Sequence, residues 1–487
     1  MTDNRPNILL LMTDQQRGDC LGIDGHPVLQ TPFLDEVGGT GLRFRSAYSA
    51  CPVCIPARRT LMTGRRPSTH GVLVNHNVLL PGTTLPEALG DAGYQTHLVG
   101  KLHLHPERKL YGFDSAQWAD GPGIGLRMST RHDSVQAERL SRDNDYLRFV
   151  WRNGITAPAP VYAHGMNGNG WPARPWHLEE RLHFSNWCAD CAIDFLERRD
   201  PTRPFFLKTS FFHPHTPCTP PAFYFDMYDR MELPPPPVGS WAQDCDVPVR
   251  GLPVRSGFIR LEPNAMRQFM AGYYGCITHI DHQIGRILSI IPDNTIVLFL
   301  SDHGDMLGDH HRNRKTAAYE GSARIPLLMK FPKGMDVPQS RVIDAPVELM
   351  DVMPTLLDAV DVPLPETVEG RSLLPLLRGE GGWREYVHGE TARITQAPPD
   401  RPTGMQYLTD GKRKYIWFPA WGKEQLFDLE QDPQEMTDLS RDPGRAEEIA
   451  LWRSRLAAEL AGRPEGFSDG KTLHTLDGPT AHCLLEE

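Results

Sequence analysis

The sequence predicts an α/β protein with a large, mostly parallel central sheet flanked by helices, plus a small C-terminal antiparallel sheet carrying one helix. Three observations predict it. Short apolar runs without polar alternation read as strands buried on both faces. These runs alternate with helical patterns, as a doubly wound sheet requires. Near residue 376 the pattern changes to short β-like runs around an Asp-Gly turn, followed by a Glu- and Ala-rich stretch. The expected division is a catalytic domain over 1–375 and a C-terminal α+β subdomain over 376–487.

The first strand is Asn7-Ile8-Leu9-Leu10-Leu11-Met12, which stops at Thr13-Asp14. Thr96-His97-Leu98-Val99 leads into Gly100-Lys101-Leu102-His103, and the apolar run over 204–212 leads into His213-Pro214-His215. Thr295-Ile296-Val297-Leu298-Phe299-Leu300 stops at Ser301-Asp302-His303. Between the strands, 85–93 reads as a short helix closed by Gly93, and 266–291 carries a longer helical period. The segment over about 115–180 shows no regular period. After the Pro-rich stretch 397–402, runs at 405–408 and 415–418 flank Asp410-Gly411 as a hairpin, and 444–460 reads as a helix.

Composition narrows the function. With 487 residues, 40% hydrophobic and 23% charged, the chain is an ordinary globular protein able to bury a large core. A formal net charge of −10 gives no basic excess for nucleic acid or an anionic membrane, so an anionic substrate needs local cations. Nine scattered cysteines form no disulfide framework, and neither a secretory signal nor a membrane-spanning run is evident. The expectation is a soluble, cytoplasmic protein, with a homo-oligomer compatible with all of this.

In open α/β sheets, ligands sit beyond the carboxyl ends of the strands, so Asp14, Lys101, His103, His215, Asp302 and His303 are expected to converge. Singly, an acid at a strand end is commonly a cap or an ion-pair partner. Cys51-Pro52-Val53-Cys54-Ile55-Pro56-Ala57-Arg58 leads into Leu61-Met62-Thr63-Gly64-Arg65. By itself the cysteine pair fits inert core thiols or a redox pair at a helix N-terminus. Cys188-Ala189-Asp190-Cys191 lacks the second pair a zinc site needs and reads as a helical core face. His310-His311 reads as a solvated loop.

The C-x-P-x-R element at Cys54, Pro56 and Arg58, followed by Leu-Met-Thr-Gly-Arg, resembles the signature of the type I, formylglycine-dependent sulfatases of the alkaline-phosphatase-like superfamily. The resemblance extends through 6–14, Thr31-Pro32-Phe33-Leu34-Asp35, Gly93-Tyr94-Gln95-Thr96, Gly100-Lys101-Leu102-His103, Pro214-His215-Thr216-Pro217, Asp302-His303-Gly304-Asp305, and Lys315 with Tyr319-Glu320-Gly321. It implies an alkaline-phosphatase-like sandwich that hydrolyses sulfate monoesters through a covalent sulfate intermediate. The nucleophile would be a formylglycine (3-oxoalanine) hydrate made from Cys54 by a maturation enzyme, with Arg58 beside it. The implied ligands of one divalent cation are Asp14, Gln15, Cys54, Asp302 and His303. The family commonly places a second acid where Gln15 stands and an Asn where His303 stands. Calcium is the first expectation by resemblance; the imidazole leaves Mn²⁺ or Mg²⁺ open. Lys101 and Lys315 would hold the sulfate, His215 would protonate the leaving alcohol, His103 would assist the second step, and Asp302 would accept a proton.

Asn75, His213 and Arg312 are weaker candidates for touching substrate, which is expected to be a small-molecule or saccharide sulfate ester. A phosphonate monoester or phosphodiester hydrolase is the nearest alternative, disfavoured by the Lys101-x-His103 pattern. A non-catalytic binding protein that never acquires the aldehyde is the alternative of another class. Loops over 105–200 and the C-terminal tail are expected to shape the alcohol pocket.

Overall fold

A computed structural model describes residues 4–120, 144–155, 166, 168–242, 257–395, 397, 402–476 and 483–484. The Pro-rich stretch at 398–401, and much of the loop region expected to shape the alcohol pocket, lie outside these residues. The strands are β1 (Asn7–Asp14), β2 (Leu42–Phe44), β3 (Ala47–Tyr48), β4 (Gln95–Gly100), β5 (Ser115–Trp118), β6 (Phe205–Pro214) and β7 (Thr295–Ser301). They continue with β8 (Leu327–Lys330), β9 (Arg341–Ile343), β10 (Val347–Glu348), β11 (Val387–Thr391), β12 (Met405–Thr409), β13 (Arg413–Phe418) and β14 (Lys423–Asp428).

Eight of them form the central sheet in the order β5-β4-β6-β1-β7-β8-β2-β9. The central strands run parallel, with Leu10 beside Lys208 on β6 and beside Leu298 on β7. Only the pairings of β8 with β7 and with β2 are antiparallel. The unbroken apolar run of β1 follows from this position. Ile8, Leu10 and Met12 enter the core on one face, and Leu9 and Leu11 enter the core on the other. A strand covered on both sides has no reason to alternate.

On the first face lies the helix Cys54–Thr63, every residue of which is buried. On the other pack the helices Phe184–Arg198 and Pro263–Leu288. Cys188 is buried on the former, as a core helical face requires. Among the described residues no helix is long and apolar enough to cross a membrane. The eight described cysteines are free.

Strands β11 to β14 form a separate antiparallel sheet, with β12 and β13 joined at the Asp410-Gly411 turn. One face of it packs Leu408, Tyr415 and Leu426 against Ile449, Trp452 and Leu456 of the helix Ala446–Glu459. The other packs Tyr407 and Ile416 against Tyr48 and Tyr319 of the large unit. Lys414 crosses that junction to Glu320 at 2.6 Å and Glu435 at 3.1 Å.

One core residue breaks the pattern. Lys208 on β6 is 1% exposed, and its Nζ meets Met12 Sδ at 3.5 Å. No carboxylate among the described residues pairs with it. Burial, reinforced by Arg58, pushes its amine well below the ordinary lysine range. The unfolded chain therefore binds the proton more tightly, and stability falls as pH drops below the unfolded value of 10.5. Lys208→Met is expected to stabilise the fold by about 1–3 kcal/mol at pH 7. Denaturant midpoints at pH 7 and pH 10 check this: the gain is larger at pH 7.

Candidate active site

The four central strands β4, β6, β1 and β7 end on one side of the sheet, and the predicted residues follow from those ends: Asp14 closes β1, Lys101 follows β4, His215 follows β6, and Asp302 and His303 follow β7. Gly100 makes the turn after β4. Its φ is +87°, and a Cβ there would stand 2.2 Å from the Ser210 carbonyl oxygen. Gly304 is as constrained, because a Cβ would meet the Gly321 carbonyl oxygen at 2.1 Å. The short helix Glu320–Ala323 therefore packs directly against the turn that follows Asp302-His303, where the Gly304 N–H donates to the Ser322 carbonyl at 2.8 Å.

Cys54 begins its helix beneath these ends and is 1% exposed. Its Sγ lies 3.2 Å from His303 Nε2, 3.9 Å from Asp14 Oδ1, and 2.9 Å from the donating Lys315 Nζ. Burial and Asp14 oppose ionisation of the thiol, but Lys315, Lys101 and His303 outweigh them and hold it well below the usual range. Asn75 Oδ1 accepts the Ile55 N–H at 2.9 Å, so this side chain caps the start of the helix, and its oxygen is occupied.

Arg58 ties the two acids together. Its Nε donates to Asp302 Oδ2 at 2.8 Å and its Nη2 to Asp14 Oδ2 at 3.2 Å. Nη1 reaches the Lys101 carbonyl at 2.9 Å and Ser210 Oγ at 3.1 Å. The ammonium of Lys101 donates to Asp14 Oδ2. Burial opposes the ionised form of Asp14, but Lys101, His215, Lys315 and Arg58 prevail and hold its carboxyl well below the usual range.

Asp14, Cys54, Asp302 and His303 each offer one ligand atom, all within 4.8 Å of one another. His303 is oriented for such a role: Nδ1 donates to the Gly304 carbonyl at 3.0 Å, which turns Nε2 toward Cys54 Sγ at 3.2 Å, where a bound cation would take the place of a proton. Gln15 is 1% exposed and sits at φ +72°. Its Oε1 accepts from Lys315 Nζ at 2.8 Å and its Nε2 donates to Asp305 Oδ2. The donor set of two carboxylates, an amide oxygen and an imidazole fits a divalent cation.

Of the two histidines expected to move protons, His215 is buried and His103 is partly exposed. His215 Nδ1 donates to the Thr216 carbonyl at 2.8 Å. Burial and Lys315 favour its neutral form, which leaves Nε2 with a lone pair. His103 stands two residues beyond Lys101 at φ +56°, and Asp120 Oδ1 accepts the N–H groups of Leu102 at 3.0 Å and His103 at 2.8 Å. Among the described residues no hydrogen bond joins either histidine to Cys54. Asp120 is not visible as a site residue in the sequence; it acts through backbone N–H groups, which leave no side-chain pattern.

Three other expectations resolve differently. His213 is buried and stacks on His183 at 5.0 Å, away from any open surface. Arg312 lies among the rings of Phe258, Tyr319 and Trp241 at 5.2 to 5.6 Å. His310, expected in a solvated loop, is 2% exposed, packs on Trp241 at 4.7 Å and accepts the Gly239 N–H at 3.0 Å. His310 is buried because Trp241 and Tyr319 pack against it, while its neighbour His311 stays partly exposed.

Residues 6–362 match the family model described as Sulfatase, and residues 308–461 match that of the N-sulphoglucosamine sulphohydrolase C-terminal region. An arylsulfatase of Clostridium perfringens is 40% identical over 96% of this chain and 97% of its own length. A choline-sulfatase of Rhizobium meliloti is 30% identical over 91% of this chain and 84% of its own. Among solved structures, a phosphonate monoester hydrolase of Agrobacterium radiobacter superposes with a TM-score of 0.75 at 24% identity, covering 93% of this chain and 95% of its own. That last likeness shows the fold.

Proposed function

Because the chain belongs to the sulfatase family and is a sulfuric ester hydrolase, we propose that it cleaves sulfate monoesters with a formylglycine hydrate derived from Cys54, beside one divalent cation. The observation that carries this reading is the placement of Cys54 Sγ at a buried helix start, 2.9 Å from Lys315 Nζ and 3.2 Å from His303 Nε2. The sulfur marks where the hydrate oxygens would stand. A hydrated aldehyde supplies two hydroxyls on one carbon, one to attack sulfur and one whose proton loss breaks the resulting ester.

Asp14, Gln15, Asp302 and His303 would hold the cation, which supplies Lewis acidity toward a hydrate oxygen and a sulfate oxygen. Calcium is the expectation by resemblance, and the imidazole and amide donors suit Mn²⁺ or Mg²⁺ as well. Lys101 and Lys315 flank the same point and supply fixed positive charge for the sulfate oxygens. Arg58 orients Asp14 and Asp302 from beneath. Asp302 is the candidate acceptor of the attacking hydroxyl's proton.

Burial and the charges of Lys315 and Lys101 keep His215 neutral, with Nδ1 engaged by the Thr216 carbonyl and Nε2 left to act. A sulfate between those lysines cancels much of their charge, and this raises the proton affinity of Nε2 toward what a general acid for the leaving alcohol needs. His103 serves the second step in the same reading. The two relatives named above act, by their descriptions, on aryl and choline sulfates, and a small-molecule or saccharide sulfate ester is the proposed substrate.

The test compares kcat/KM for an aryl sulfate, an aryl phosphonate monoester and an aryl phosphodiester, with metal-replete protein whose Cys54 peptide shows formylglycine by mass spectrometry. The sulfate is expected to lead by at least about tenfold, roughly 1.4 kcal/mol of differential transition-state binding. A preference for either phosphorus ester would move the site to that chemistry and remove the roles given to Lys101 and His103.

A further inference from the structure

We infer that Asp305 is a positioning residue that fixes which way round the Gln15 amide sits, and thereby makes Gln15 an oxygen donor to the divalent cation. The inference rests on the cation reading of the preceding subsection and deepens it. A glutamine side chain ends in two groups of nearly equal size and opposite hydrogen-bonding sense, so its usefulness as a metal ligand depends entirely on what holds it.

Gln15 is pinned at the backbone first. Its N–H donates to Asp302 Oδ1 at 3.1 Å and its carbonyl accepts from Tyr273 Oη at 2.6 Å. With the backbone fixed and the residue 1% exposed, the remaining freedom is rotation of the terminal amide. Both ends of that amide face a partner that accepts one orientation only. At one end stands a carboxylate: Asp305 Oδ1 takes the N–H groups of Leu307 at 2.8 Å and Arg314 at 3.0 Å, and Oδ2 takes Gln15 Nε2. At the other stands the ammonium of Lys315, which donates to Gln15 Oε1 at 2.8 Å. An ionised carboxylate is acceptor-only and an ammonium is donor-only. The oxygen is thereby turned toward Lys315, whose Nζ also reaches Cys54 Sγ at 2.9 Å, and the NH₂ group toward Asp305.

The geometry points to a specific consequence of removing one negative oxygen. In Asp305→Asn the remaining carbonyl oxygen is claimed by the two backbone N–H groups, so the new NH₂ group faces Gln15. The Gln15 amide must then turn over, which puts its NH₂ group against the Lys315 ammonium and toward the cation. Adding Gln15→Glu reverses this, because a carboxylate at position 15 accepts from the new NH₂ group at position 305 with one oxygen and still offers the other inward.

The probe is Mn²⁺, titrated calorimetrically into metal-stripped wild type, D305N and the D305N/Q15E double variant, with D302N marking uptake elsewhere on the protein. Outer-layer partners of metal ligands typically tune affinity by about 10- to 100-fold, and D305N is expected to weaken binding by that factor. The double variant is expected to return to within about threefold of wild type or tighter. Thermal unfolding of the metal-free proteins separates a ligand effect from a collapsed loop. Unchanged affinity in D305N would overturn the inference. So would a double variant as weak as D305N, since damage to the 305–315 loop is not repaired by a charge at position 15. If D302N leaves wild-type uptake intact, no cation sits in this cluster, and the cation reading falls together with the inference while the sulfatase assignment stands.

Discussion

Cys54→Ala is expected to lower kcat/KM for an aryl sulfate by at least about 10⁴-fold, the order found when a covalent nucleophile is deleted from a site whose binding groups are left in place. The structure explains why the loss should be confined to chemistry. Cys54 projects from the first turn of a helix that is buried throughout, so alanine keeps the helix, its Asn75 cap and the Arg58 bonds. Its Sγ is bracketed by Lys315, His303 and Asp14, and these partners are fixed by other contacts: Lys315 by Gln15, His303 by Gly304, Asp14 by Arg58. A product inhibitor such as inorganic sulfate should therefore bind Cys54→Ala about as well as wild type. If the variant retains kcat/KM within tenfold of wild type, the nucleophile is some other group and the mechanism proposed for Cys54 is wrong.

The largest effect on stability is expected at Arg58, where Arg58→Met should destabilise the metal-free protein by about 3–5 kcal/mol. The guanidinium is 1% exposed and joins two carboxylates that are each fully buried. Removing it leaves Asp302 with only the His303 imidazole at 3.7 Å and Asp14 dependent on Lys101, and a poorly compensated buried charge costs more than the intact network contributes. The sign of the pH dependence follows. In the wild type the Asp14 carboxyl is held below its unfolded value of 3.8, so its contribution is present above that pH and is lost as pH falls through the lower folded value. In Arg58→Met that depression shrinks, so the deficit is full at neutral pH and narrows on acidification below about pH 4. Denaturant midpoints of both proteins at pH 7 and about pH 2.5 measure it; a parallel offset at the two values would assign the effect to lost packing rather than charge.

The sequence shows the centre of this molecule better than its edges, for a physical reason. Strands β1, β4, β6 and β7 are covered on both faces, so they carry apolar runs without alternation, most plainly at 8–12 and 296–300. The site residues Asp14, Lys101, His215 and Asp302 stand at or just past their ends, although Thr96-His97 on β4 and Lys208-Thr209-Ser210 on β6 interrupt the pattern. Strands β2 and β9, three residues each at the sheet margin, carry no such constraint. The helix Phe184–Arg198 sits at the end of a region whose loops hide its period. In the site, residues that act with their side chains on one another, such as Asp14, Cys54, Arg58 and Lys315, are visible as motifs. Residues that act on backbone N–H groups are not. Asp120 holds the turn of Leu102 and His103, and Asp305 holds Leu307 and Arg314, through bonds that any local sequence could present. His310 departs from its expected loop for the complementary reason, since its burial depends on Trp241, distant in sequence.

The depth of Cys54 also bears on how the protein must be produced. With its side chain 1% exposed and every residue of its helix buried, Cys54 is withdrawn from the surface of the folded molecule. In the function proposed above, conversion of that thiol would compete in time with docking of the 54–63 segment against the sheet, and the fraction of working molecules would be fixed at birth, chain by chain. A host that folded the protein quickly and modified it slowly would then yield a stable and largely silent preparation, whose specific activity would record a kinetic ratio rather than a defect in the fold.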